Sequence, residues 1–190
     1  MKIALYFGSF NPVHVGHLII ANHVLNETDV ERLWFVVSPH NPLKQENGLL
    51  NEYHRLHLVQ TAIGDDLRMK ASDIEFHLPR PSYTIDTLTY LKEKYPEHEF
   101  RIVMGSDSFS NIRKWKNYEL LLRDYKILIY QRPGFVVQAP ENADTLILQA
   151  PLLEISATRL REMIQKGKSI RYMVPDKVRE EIEAGGYYKG

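Results

Sequence analysis

The chain has 190 residues, 44% of them hydrophobic, with 24 acidic and 24 basic side chains and no cysteine. That length fits one α/β domain over residues 1–190, including a C-terminal helical segment from about residue 155, and the apolar fraction is ample for a sizeable core. Balanced charge without a long run of either sign argues against a general nucleic-acid or membrane-surface binder. It leaves room for a local basic pocket, while the absent cysteines exclude disulfides.

Met1-Lys2 runs straight into an apolar strand, Ile3 to Phe7, so no signal peptide is read and the expected setting is the cytoplasm. A polar loop follows, then the helical stretch Leu18 to Leu25. Leu33 to Val37 reads as a second buried strand closed by Ser38-Pro39, and Asn51 to Ile63 as a helix burying Leu56, Val59 and Ile63. Met69 to Leu78 alternates imperfectly and predicts a strand around Ile74-Glu75-Phe76. Thr84 to Tyr95 is helical, with Pro96 beyond its end. Strands are then expected at Arg101 to Met104, Lys126 to Tyr130 and Thr145 to Leu148. Tyr118 to Leu122, Ser156 to Gln165 and Pro175 to Ala184 read as helices. No apolar run reaches membrane-spanning length. Strands alternating with helices across short loops predict a doubly wound, Rossmann-like, mostly parallel sheet. Ligands of such sheets sit beyond the carboxyl ends of the strands, where Gly8–His17, Ser38–Lys44 and Gly105–Asp107 all fall.

The stretch Gly8-Ser9-Phe10-Asn11-Pro12-Val13-His14-Val15-Gly16-His17 joins a strand to a helix, a geometry that offers N–H groups and the positive end of a helix dipole to an anion. Gly8 is expected to let a ligand approach the backbone, and Gly16 to tolerate the sharp turn into the helix. Pro12 stiffens the loop. His14 and His17 flank Gly16, and each imidazole can donate to a phosphate oxygen, so the pair suits a polyphosphate. With no cysteine and no helical HExxH, these histidines do not suggest zinc. Ser156 is placed to cap the helix that follows it, leaving first-turn N–H groups as a second anion site beside the Arg161 guanidinium. Thr84 is expected to cap its own helix, with Asp86 in the first turn suiting the dipole. Asp107, after a buried strand, can accept from ribose hydroxyls, and Trp115 either packs in the core or, as its polar neighbours favour, stands partly exposed to stack on a flat base. Lys44 ends a rigid loop within reach of a phosphate, though a solvated lysine is as good a reading.

Gly8, Phe10, Pro12, His14, Gly16 and His17 match the GxFxPxHxGH signature, and by them the chain resembles the nucleotidyltransferase superfamily. Ser82-Tyr83-Thr84-Ile85-Asp86-Thr87-Leu88 is similar to that superfamily's SYTxDTL segment in the nicotinate-nucleotide adenylyltransferases, and Ile155 to Arg161 to its ISSTxxR segment. Phe7, Asn11 and Ala157 depart from the commoner residues there. The resemblance runs from Lys2 to about Val178 and implies the same fold. It assigns ATP to Gly8, Ser9, Phe10, His14, Gly16, His17, Gly105, Asp107, Ser156, Thr158 and Arg161, with His14, His17 and Arg161 catalytic. It assigns the acceptor to Lys44, Thr84, Asp107, Trp115, Lys116 and Arg132, with the backbone near Thr84 on a nicotinate carboxylate.

What the resemblance implies is a transfer of AMP from ATP to nicotinate mononucleotide. It gives nicotinate adenine dinucleotide and pyrophosphate, with Mg²⁺ carried by the ATP phosphates and no protein metal site. Nicotinamide mononucleotide or phosphopantetheine as acceptor, and a non-catalytic nucleotide sensor, remain open alternatives. So does the oligomeric state, a homo-oligomer included.

Overall fold

The computed structural model describes residues 1–40, 48–151 and 153–190. Among these, six parallel strands form one sheet: β1 (Lys2–Gly8), β2 (Arg32–Val37), β3 (Met69–Ser72), β4 (Glu99–Gly105), β5 (Ile127–Tyr130) and β6 (Thr145–Leu148). Their order is β3-β2-β1-β4-β5-β6, so the strand order reverses between β1 and β4. In doubly wound sheets that reversal opens a crevice at the carboxyl ends.

The helices are α1 (Val15–Glu27), α2 (Glu52–Ile63), α3 (Thr84–Lys94), α4 (Ser106–Phe109), α5 (Tyr118–Asp124), α6 (Ala157–Gln165) and α7 (Asp176–Gly185). Period-two alternation splits β1 between two cores: Ala4 and Tyr6 face one, Ile3 and Leu5 the other. The first core takes Ile20, Ala21 and Val24 of α1, Leu58 and Val59 of α2, Leu160 of α6, and Val178 and Ile182 of α7. The second takes Ile85, Leu88 and Leu91 of α3 with Leu121 and Leu122 of α5. Each fully buried Leu contributes roughly 1.5–3 kcal/mol by leaving water. Both faces are thereby covered, which a wholly parallel sheet requires.

Two local readings of the sequence are corrected. Ile74–His77 is a 3₁₀ turn, and the strand lies upstream at Met69–Ser72, paired with Leu33 to Val36. The turn directs Ile74 and the Glu75 carboxylate inward together, which an alternating strand could not do. On α2 the fully buried face carries Arg55, Leu58 and Val59, while Leu56 and Ile63 are only partly buried. Arg55 is 0% exposed, and a charged residue on the inner face of a helix has to be satisfied there.

Candidate active site

The rim of the sheet between β1 and β4 holds a cavity of about 190 Å³ lined by Gly8, Ser9, Thr84, Gly105, Trp115 and Lys116 among others. The ends of β1, β4 and β5 form its floor through Tyr6, Met104 and Tyr130. Trp115 stands half-buried at the wall. Lys116 also lines it, but its ammonium is 2.8 Å from Asp86 and 4.8 Å from the Tyr83 ring centre. The N-cap of α3 is Tyr83 rather than Thr84, and no side chain caps it. Asp86 and Thr87 N–H groups donate to Tyr83 O, so the Thr84 and Ile85 N–H groups are the ones left without a helical carbonyl.

Beside this cavity stands the histidine pair. His14 is the N-cap of α1, and its ring stacks on that of His17 with centres 3.7 Å apart. The His14 N–H donates to His17 Nδ1 at 3.2 Å, which makes Nδ1 an acceptor and leaves the proton of the neutral ring on Nε2. His17 therefore carries its donor on Nε2. His14 Nδ1 is buried and has no hydrogen-bond partner among the described residues. Burial first, and then the Arg132 charge, lowers His14 from 6.5 to about 4. His17 is pushed well down by burial, by His14 and by Arg132. Both rings are thus neutral donors near neutral pH.

Packing gives the glycines a reason beyond the one read in sequence. A Cβ at Gly16 would lie 3.0 Å from the His14 ring, and one at Gly8 would lie 2.9 Å from the Phe10 ring. These glycines make room for the loop's own rings, with Gly8 lining the cavity as well. Phe10, in the left-handed region at φ 46°, turns its ring into the core against Tyr6, His17 and Phe35, so only its backbone is left to face a ligand. The start of α1 is also less open than expected. Val15 N–H donates to Met173 O, and those of His17 and Leu18 to His14 O. Here side chains, more than main-chain N–H groups, are the available donors.

A third group closes the site from the C-terminal side. Ser156 caps α6, accepting from the Arg159 N–H at 3.2 Å. Arg161 donates to Asn11 O at 2.7 Å and lies 3.4 Å from Thr158 Oγ1, so α6 is tied to the first loop. Asn11, one of the departures noted above, clips that loop to the next segment by donating to Gly48 O and accepting from Leu50 N–H. Arg132 is 3.4 Å from Asp107 Oδ1 and 3.3 Å from the Tyr130 hydroxyl, which meets the Tyr6 hydroxyl at 3.4 Å. Lys44 lies outside the described residues.

Arg55 and Glu75 were not anticipated. Arg55 donates to Leu50 O, Ser9 O, Ser38 O and Pro39 O, fastening the two rim loops together. The signal in the sequence was a charge in register with Leu58 and Val59. For Glu75 it was a carboxylate inside the apolar triplet Ile74-Glu75-Phe76.

Comparison with known proteins follows this geometry closely. The family described as "Cytidylyltransferase-like" matches residues 5–163. A Flavobacterium johnsoniae protein named "Probable nicotinate-nucleotide adenylyltransferase" is 47% identical, covering 100% of both chains. A Cytophaga hutchinsonii protein of the same name is 48% identical over 99% of this chain and 98% of its own. The chain belongs to the nicotinate-nucleotide adenylyltransferase family. Its fold matches that of Plasmodium falciparum nicotinic acid mononucleotide adenylyltransferase complexed with NaAD, with a TM-score of 0.84, 22% identity and coverage of 98% and 97%. The P. falciparum structure complexed with APC gives a TM-score of 0.82 at 21% identity, covering 98% of this chain and 96% of that one. As in other doubly wound folds, the adenylyltransferase cleft sits where the strand order reverses.

Proposed function

We propose that the protein joins nicotinate mononucleotide to ATP, giving nicotinate adenine dinucleotide and pyrophosphate in the cytoplasm. What supports this most is the meeting of two unlike half-sites at one rim. A cluster of N–H donors (His14, His17, Arg132, Arg161) stands beside a cavity that has Trp115 on its wall and unpaired N–H groups of α3 at its edge.

In this reading the acceptor's phosphate attacks the α-phosphorus of ATP in line, the α–β bridging bond breaks, and pyrophosphate leaves with the electron pair. A phosphate monoester is already ionised near neutral pH, so no general base is required. Both reactants are anions, and the task is to align them and stabilise charge moving onto the leaving group. His17 Nε2–H and His14 bind the reacting and bridging oxygens, while Ser156, Thr158 and Arg161 hold the β- and γ-phosphates. Asp107 accepts from a ribose hydroxyl, Trp115 stacks on the pyridine, and the Thr84 N–H meets the nicotinate carboxylate. Among the described residues no three His, Cys, Asp or Glu side chains gather to hold a metal, and the donor set is cationic or N–H. In this reading magnesium enters as part of the ATP substrate, offsetting phosphate charge.

A screen of acceptors with ATP, scored by pyrophosphate release, tests the reading. Turnover with nicotinate mononucleotide above nicotinamide mononucleotide and phosphopantetheine is expected; no turnover with any acceptor would favour a sensor. Removing one donor aimed at developing charge lowers kcat by roughly 10²–10³, so His17→Ala should cut kcat on that scale with little change in ATP binding. Near-normal turnover of that variant would remove His17 from the mechanism.

A further inference from the structure

Glu75 is 2% exposed, yet it belongs to the wall of the acceptor cavity together with Ser38, Ser82, Tyr83 and Thr84. A carboxylate in such a place is costly unless its oxygens are satisfied. Among the described residues, hydroxyls satisfy them. Ser82 Oγ donates to Oε2 at 3.0 Å and Thr87 Oγ1 donates to Oε1 at 3.0 Å, while Ser38 supplies a third hydroxyl. Burial raises the Glu75 carboxyl above its ordinary value, and the three hydroxyls pull it back.

The three donors come from different segments. Ser82 is on the turn entering α3, Thr87 is in the first turns of α3, and Ser38 follows β2. Thr87 Oγ1 also lies 3.3 Å from Tyr83 O, the carbonyl that receives the first helical N–H groups. The whole N-terminus of α3 is therefore referenced to one carboxylate. The other rim loop has its own fastening, because Arg55 holds Ser9, Ser38 and Pro39 by their carbonyls. One buried acid and one buried base thus meet at Ser38, the acid taking its hydroxyl and the base its carbonyl.

We infer that Glu75 is a positioning residue for the acceptor half-site: by anchoring Ser82 and Thr87 it aims the free Thr84 and Ile85 N–H groups into the cavity, and so sets affinity and selectivity for an acceptor bearing a carboxylate. This rests on the function proposed above. It adds a residue that need not touch either substrate and whose loss falls on one of them.

The test is steady-state kinetics of Glu75→Ala, Glu75→Gln and Ser82→Ala, each checked for folding by circular dichroism and thermal melting. Hydrogen bonds to a charged group are stronger than neutral ones, so Glu75→Ala should raise KM for nicotinate mononucleotide about tenfold or more. KM for ATP should stay within about twofold, because Arg55 still holds Ser9 and Pro39 when Ser38 loses its carboxylate partner. Glu75→Gln, which keeps one acceptor oxygen, should fall between wild type and Ala. The preference for nicotinate over nicotinamide mononucleotide should shrink in the same order. If Glu75→Ala does not fold, Ser82→Ala carries the test, with a smaller rise confined to the acceptor. Folded variants in which both KM values rise together, or neither moves, would overturn the inference and leave Glu75 a purely structural acid. The two readings fail differently. A wild-type protein that binds nicotinate mononucleotide without turning it over defeats the functional proposal, while the acceptor-to-ATP ratio of binding constants still decides the role of Glu75. Absence of binding overturns both.

Discussion

His14 illustrates how a residue proposed to bind substrate weighs on the stability of its own fold. Burial and Arg132 hold it at about 4, against 6.5 when unfolded. Above pH 6.5 the ring is neutral in both states and stability is complete. Between 6.5 and 4 the unfolded chain takes a proton that the native ring refuses, so stability falls as the solution is acidified. At 1.36 kcal/mol per pH unit the loss amounts to roughly 3 kcal/mol. Urea unfolding from pH 7 to pH 4 should show it, and His14→Asn should flatten that part of the profile; an unchanged slope would mean that the ring is not shielded. The sequence already placed both imidazoles in a phosphate loop, because glycine and histidine spacing is a local signal. Arg55 and Glu75 were opaque for the opposite reason. A single charge in an apolar run looks like a surface residue until the fold brings its partners together, and those partners are Ser9, Ser38, Ser82 and Thr87, far apart along the chain.

Between elements, Arg55 is the main tie. Among the described residues, it fastens α2 to the loops after β1 and β2 through the carbonyl oxygens of Leu50, Ser9, Ser38 and Pro39. In Arg55→Met those carbonyls lose their donor, and each buried unpaired group costs about 1–3 kcal/mol. The desolvation of the guanidinium is returned at the same time, so the net loss expected is roughly 3 kcal/mol. A shift in the urea midpoint measures it, and a loss below about 1 kcal/mol would show that water replaces the arginine. KM for ATP should rise in the same variant, the mirror image of the effect at Glu75. Element types were legible because long periodic segments carry them, and the bounds of α2, α3, α6 and α7 differ from expectation by a residue or so. The 3₁₀ turn at Ile74–His77 was not legible. Three apolar-flanked residues look alike in a strand and in a tight turn, and what chooses between them is a set of hydroxyls elsewhere in the chain.

On the scale of the molecule, acidic and basic residues cancel, yet Arg132, Arg161 and the histidine pair gather at one rim of the sheet. Attraction of an anion should therefore be local in origin and still sensitive to salt. Screening lengths shrink from about 20 Å to below 10 Å between roughly 0.02 and 0.3 M salt, so KM for ATP should climb several-fold over that range while kcat changes little. An unresponsive KM would mean that contact hydrogen bonds alone govern capture. The parallel sheet and its cleft followed from alternation of strands and helices, since right-handed crossovers leave few arrangements open. Which side of the cleft receives which reactant does not follow from topology, and the division proposed above rests on the positions of Trp115, Arg161 and Glu75.

The stacked imidazoles have one more consequence. With ring centres 3.7 Å apart, a second proton on the pair would meet strong repulsion, so the pair never becomes a fixed double cation. A grip made of uncharged donors holds a polyanion by direction more than by permanent charge. In the proposed reaction the fixed positive charge acting on departing pyrophosphate is then that of Arg161 and Arg132, and the two rings add direction without adding a cation.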